Sequence, residues 1–178
     1  ELTELGLIYE SGAVGHTGGS MLAEAMIAAK GIGGFKNFSS HHFGGGRSSI
    51  VTDITISVNK PEEMQRDAIN AVERGYDCLK VKVGSDPSLD VARLSAIREV
   101  VPKDICIRID ANQGWTPKQA VRILNDMQDR GLDIEFVEQP VKALDFDGMK
   151  YVTERSYVPV LADESVFSPA DALKIMQM

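Results

Sequence analysis

From Val51 onward, short apolar runs alternate with amphipathic stretches, and the strand-like runs end in charge at a near-constant interval. Lys82, Asp110, Glu138 and Asp163 follow one another at 28, 28 and 25 residues. Such an interval is one strand plus one helix long, so each charge recurs once per βα unit. The pattern reads as strand 51–58, helix 61–74, strand 78–83, helix 88–100, strand 105–110, helix 117–130, strand 134–138, a short helix near 145–155, strand 158–163 and helix 169–177. Repeated strand–helix–strand order implies parallel strands joined by right-handed crossovers. Two architectures satisfy it, a (β/α)8 barrel or an open doubly wound sheet, and periodicity alone does not separate them.

Helix punctuation agrees with the periodicity. Pro61 with Glu62 and Glu63, then Thr116-Pro117 and Ser168-Pro169, are first-turn signals, while Gly75 and Gly131 fall just past helix ends. Before Val51 the chain obeys other rules: 11 of its 16 glycines lie in residues 1–50, in "SGAVGHTGGS", "GIGG" and "FGGGR". We therefore expect two parts, 1–50 and 51–178.

A formal charge of −7 argues against nucleic acid as the main partner, because tracking phosphates needs a basic excess. No apolar run approaches the length of a membrane span and no secretory leader opens the chain, which points to a cytoplasmic protein. Cys78 and Cys106 fall in different strands without metal-type spacing, so they read as plain core thiols with no disulfide.

In either architecture, ligands gather at the C-terminal ends of the strands. "CLKVKVG", residues 78–84, places Lys80 and Lys82 on one strand face; "IRIDAN" closes on Asp110, "EFVEQP" on Glu138, and "VLADES" on Asp163 and Glu164. Acids gathered on one rim repel unless a cation or a proton intervenes, and hard oxygen donors suit Mg²⁺. Taken singly these signals are ordinary: a strand-end aspartate usually caps a loop, and a KxK strand is usually a solvated edge. Their shared position is what points to Asp110, Glu138 and Asp163 as metal ligands. Such an ion can hold a substrate carboxylate and stabilise the charge that builds as a neighbouring carbon loses its proton. The lysines are then the proton carriers, each lowered in proton affinity by the other and by partial burial, with Lys82 as the base.

"KVKVG", "RIDANQGW", "FVEQPV" and "LADESVFSP", in this order and spacing, resemble the enolase superfamily, muconate-lactonizing-enzyme subgroup, and look most like its L-Ala-D/L-Glu dipeptide epimerases. The match covers about residues 51–178. A lysine base working with Mg²⁺ on an enolate is that superfamily's known pairing. The resemblance implies a TIM-type (β/α)8 barrel, here its first five βα units, preceded by a remnant of an α+β capping domain over 1–50. It also implies Mg²⁺ on Asp110, Glu138 and Asp163, Lys82 removing the proton α to the substrate carboxylate, Lys80 tuning Lys82, and Asn112, Gln139 and Glu164 supporting them.

The family's epimerases use another lysine, at the end of a sixth strand, beyond the units present here. A complete barrel runs to about 250 residues, so we expect a fragment, or ordered pieces numbered across gaps, whose open strand edges favour a homo-oligomer. Within the superfamily, N-acylamino-acid racemase, o-succinylbenzoate synthase and muconate cycloisomerase are the alternatives. Outside enzymes, the alternative is a catalytically incomplete barrel piece with a structural or assembly role. His41-His42 reads as a loop pair, and the "GGGR" at 44–47 as a linker lacking the lysine and hydroxyl of a phosphate cradle. Trp115 either packs on its loop or walls the substrate pocket. Arg108 shares the Asp110 face and is expected to pair with an acid.

Overall fold

A computed structural model describes residues 52–178, in which every expected strand and helix is present. The strands are β1 Ile54–Ile56, β2 Cys78–Lys82, β3 Cys106–Asp110, β4 Ile134–Glu138 and β5 Val160–Leu161; the helices are α1 Pro61–Glu73, α2 Asp90–Val100, α3 Pro117–Asp129, α4 Phe146–Arg155 and α5 Pro169–Met176. The capping-domain remnant expected over 1–50, with His41-His42 and "GGGR", lies outside the described residues.

All neighbouring strands are parallel, in the order β1-β2-β3-β4-β5. A doubly wound sheet reverses its strand order at a switch point; this sheet does not, so it follows the barrel arrangement. Alternation sorts each strand between two faces. Leu79, Val81, Ile107, Ile109 and Val137 are fully buried and join one core with Met64, Ala68, Leu94, Ile97, Leu124 and Met127 from the helices. The other face carries Lys80, Lys82, Arg108 and Asp110, paired in register as Lys80↔Arg108 and Lys82↔Asp110.

Helix starts follow the sequence signals. Thr116 and Gln119 form a reciprocal capping box on α3, and Ser168 accepts from the Asp171 backbone N–H on α5. At α1 the capping residue, Lys60, makes no side-chain bond, and the turn leans on Pro61 and its two acids. β1 and β5, which among the described residues each pair on one side, are shorter than expected. Pro159, just before β5, has no N–H to give.

One irregularity matters later. Ile107 pairs with Ile134 but Ile109 with Val137, so β4 holds one residue more than β3 between those pairs. This bulge reverses the alternation midway along β4.

Candidate active site

Asp110 and Glu138 face each other in register at the C-terminal ends of β3 and β4. Lys80 bridges them, with Nζ 3.0 Å from Asp110 Oδ2 and 2.8 Å from Glu138. Lys82 Nζ donates to the same Asp110 Oδ2 at 2.6 Å and to Asn112 Oδ1 at 2.7 Å. The remaining Asp110 oxygen accepts the Asn112 backbone N–H at 3.0 Å. The Asp110 side chain is 1 % exposed, whereas Lys82 keeps 20 % and opens onto a cleft of about 420 Å³ lined by Ser57, Gly84, Ser85, Asn112 and Gly114.

Burial drives the acids and the lysine in opposite senses. Burial lowers the Lys80 ammonium, but its bonds to Glu138 and Asp110 outweigh that, and its proton affinity ends above the ordinary lysine value. The expected lowering of Lys80 by burial and a neighbouring lysine is thus corrected: two carboxylates within 3.0 Å of its Nζ favour the charged form. Burial also raises Asp110, yet Lys82 and Lys80 hold it below the usual aspartate range. Glu138 is pushed up to about 7 by burial and by Asp110, against the pull of Lys80.

Asp163 and Glu164 sit on the turn after β5, held by Gln139. That side chain is fully buried, accepts from the Asp163 and Ser165 backbone N–H groups at 3.0 and 3.1 Å, and donates to Ser165 Oγ and the Val141 carbonyl. Gln139 therefore fixes the acidic turn rather than reaching the rim. Asn112 links the two sides, accepting from Lys82 and donating to Glu164 Oε1 at 3.3 Å. The three expected metal ligands are not drawn equally close. Among the described residues, Asp110, Glu138 and Asp163 do not bring one oxygen each within 4.8 Å of one another, and Asp163 is exposed.

The donor set nevertheless fits a hard divalent cation. Four carboxylates, Asp110, Glu138, Asp163 and Glu164, stand against two ammoniums. Glu164 Oε2 is buried without a hydrogen-bond partner, and a buried acceptor left unpaired is costly. Lys80 occupies the space between Asp110 and Glu138 as their present counter-charge. All of these donors are oxygens, the ligand type that selects Mg²⁺ over softer ions.

Backbone strain clusters where these acids end their strands. Asn112, Gln113 and Gln139 have φ of 41°, 67° and 38°, a left-handed region that non-glycine residues seldom occupy. Next to them two loops touch: a Cβ on Gly114 would meet the Gly84 carbonyl at 2.5 Å, which explains a glycine at that position.

Asp90, at the start of α2, is a residue that sequence reasoning missed. It is fully buried. Its Oδ2 accepts from Gly84 N and from Trp115 Nε1, each at 2.9 Å, and its Oδ1 accepts from Arg93 at 2.9 Å. One carboxylate thus ties the loop after Lys82 to the loop after Asp110. Its only sequence signal is an acid in a helix's first turn, which is commonplace. Trp115 packs on its loop, 2 % exposed, with its Nε1 bonded to Asp90. Arg108 pairs with Glu135 and, at 3.2 Å, with Asp53, as expected of it.

Comparison with known proteins places this arrangement. Residues 63–178 match the family described as enolase C-terminal domain-like. The chain belongs to that family. It is 56% identical over 135 residues to the L-Ala-D/L-Glu epimerase of Clostridium acetobutylicum, covering 76% of this chain and 38% of that protein. It is 49% identical over 135 residues to the L-Ala-D/L-Glu epimerase of Bacillus subtilis, covering 75% and 37%. The solved complex of the Bacillus subtilis L-Ala-D/L-Glu epimerase with substrate superposes with a TM-score of 0.71 over 72% of this chain and 36% of that one, at 49% identity. The Enterococcus faecalis dipeptide epimerase, solved with Mg and L-Leu-L-Tyr, gives 0.69 at 46% identity over 72% and 36%. The chain thus spans less than two fifths of the length of these relatives.

Proposed function

We propose that the protein removes the proton α to a carboxylate with the help of Mg²⁺, and that its reaction is epimerisation of a dipeptide such as L-Ala-L-Glu. The observation that carries this reading is the pair Lys80 and Lys82, both in contact with one oxygen of Asp110 at the strand ends, with Glu138 alongside. Relatives that are dipeptide epimerases, one of them solved with Mg and a dipeptide, support it.

In this reading Asp110, Glu138 and Asp163 hold Mg²⁺. The bound ion supplies positive charge for the substrate carboxylate as its α-carbon is deprotonated. Asp110 and Glu138, with Asp163, would hold the ion, and the two acids now carry Lys80 and Lys82 as their counter-charge. Lys82, the more exposed and the one on the cleft, takes the α-proton at Nζ. Lys80, bonded to both acids, tunes Lys82 and stays on the metal side. Asn112 orients Lys82 through Oδ1, while Gln139 and Glu164 hold the turn that presents Asp163. Inversion needs a second acid on the opposite face of the substrate, a group outside these five strands.

The test is solvent exchange. With Mg²⁺ and L-Ala-L-Glu in D₂O, deuterium should enter the carbon α to the carboxylate, and Lys82→Ala should slow this by roughly 10²–10⁴-fold while leaving the circular dichroism unchanged. Wild-type protein that binds Mg²⁺ yet exchanges no dipeptide α-proton would overturn the reading.

A further inference from the structure

We propose that the opposite end of the same sheet face holds a second metal site, for Zn²⁺, formed by Cys78, Cys106 and Glu135. Among the described residues, this is the group whose ligand atoms all lie within 4.8 Å of one another. Tetrahedral zinc with Zn–S near 2.3 Å and Zn–O near 2.0–2.2 Å sets its ligands about 3.3–3.8 Å apart, so little movement is needed.

Three features of the chain build it. Cys78 and Cys106 are register partners on adjacent parallel strands, both on the face that carries the lysines. The β4 bulge brings in the third ligand. Since Glu138 faces Asp110, strict alternation would turn Glu135 to the helix side; the extra residue turns it inward, where the Cys106 S–H donates to its Oε2 at 3.0 Å. Arg108 then bonds that same Oε2 and leaves Oε1 without a hydrogen bond among the described residues. A metal-binding carboxylate steadied by a donor on its other oxygen is a common arrangement. The guanidinium is itself balanced on its far side by Asp53.

The site is separate from the acidic rim. Cys78 and Lys82 are four residues apart on β2, about 13 Å at a strand's rise. Its chemistry also differs, since two thiolates select a soft or borderline ion that Mg²⁺ cannot replace. Both thiols are free and Cys78 is buried, as the sequence suggested, but Cys106 departs from a plain core thiol in being half-buried and bonded to a carboxylate. Burial, then Glu135, pushes the Cys106 thiol up to about 12, and burial raises Cys78. Each must therefore give up its proton to solvent as the ion binds, two per metal, and uptake weakens as pH falls.

Titration of the full chain under a non-thiol reductant tests this, with Co²⁺ as the spectroscopic probe and Zn²⁺ as competitor. One ion per chain should give thiolate-to-cobalt charge-transfer absorbance, which histidine and carboxylate ligands do not produce. Zn²⁺ should abolish the band with release of two protons, and excess Mg²⁺ should leave it. Cys106→Ser and Cys78→Ser should each remove it, while Lys82→Ala, at the other end of the strand, should not. Absence of the band from folded, reduced wild-type protein, or its survival in either serine variant, overturns the proposal.

Discussion

Glu138 is the residue whose ionisation weighs most on the rim. Between the ordinary glutamate value near 4.5 and about 7, the folded chain keeps a proton on it that the unfolded chain has released. A folded state that holds more protons loses stability as pH rises, so this group's contribution declines across that window and is gone above it. The full shift corresponds to about 3 kcal/mol. Glu138→Gln has nothing to titrate there. In the presence of a chelator, the stability of wild type relative to the variant should fall by up to about 3 kcal/mol between pH 4.5 and 7, read from urea unfolding. A difference that stays flat with pH would place the burial cost elsewhere. What the sequence offered at this scale was position. Lys80, Lys82, Asp110 and Glu138 were legible because alternation and unit length put them at one rim, but the net direction of the Lys80 shift was not, since it depends on which oxygen lies within 3 Å of its Nζ.

At the scale of elements, the βα loops work as a tied pair. Asp90 joins them, and it lies against Arg93, itself 7 % exposed. Removing one partner of a buried ion pair strands the other, so Asp90→Ala should cost about 3–5 kcal/mol in thermal or urea unfolding. Asp90→Asn keeps the shape and should cost less. The same loops hold Gly84, where φ is +89° and a Cβ would meet the Ala111 carbonyl at 2.4 Å. Gly84→Ala should therefore destabilise by at least about 1–3 kcal/mol, and it should depress α-proton exchange beyond what lost stability explains, because Gly84 follows Lys82 by two residues. Helix and strand identities were legible because Pro61, Thr116-Pro117, Ser168-Pro169, Gly75 and Gly131 punctuate a clean alternation. The β4 bulge was not. In "DIEFVEQP" Phe136 and Val137 stand side by side, a pair that a strand buried on both faces also shows, and the extra residue is fixed only once Ile107 and Ile109 are paired with Ile134 and Val137. The Cys78–Cys106–Glu135 group was hidden for that reason: Glu135 is on the wrong face until the parity breaks.

For the molecule as a whole, periodicity allowed either a barrel or a doubly wound sheet, and only the unreversed order of five strands decides it. That order also makes the burial uneven. β2 to β4 have neighbours on both sides and carry Leu79, Val81, Ile107, Ile109 and Val137, all inaccessible to solvent. β5 is two residues long and α5 buries none of its side chains, whereas each of the other helices buries three or four. Leu173 and Met176 on α5 are 56% and 84% exposed, and Phe167 just before it is 63% exposed. An eight-residue helix without a packed face is marginal in water, since its stability comes from burial rather than propensity. Local opening should therefore be far easier at α5 than in the central strands. In hydrogen–deuterium exchange, amides of α5 should exchange orders of magnitude faster than those of β2, β3 and β4, with α1 to α3 between. Mg²⁺ should slow the loops after β3, β4 and β5 and leave α5 unchanged, because the acids it would join lie at those strand ends. Protection of α5 equal to that of β3 would mean that something covers Leu173 and Met176, and a second copy of the chain in that place would show as a concentration-dependent change in sedimentation.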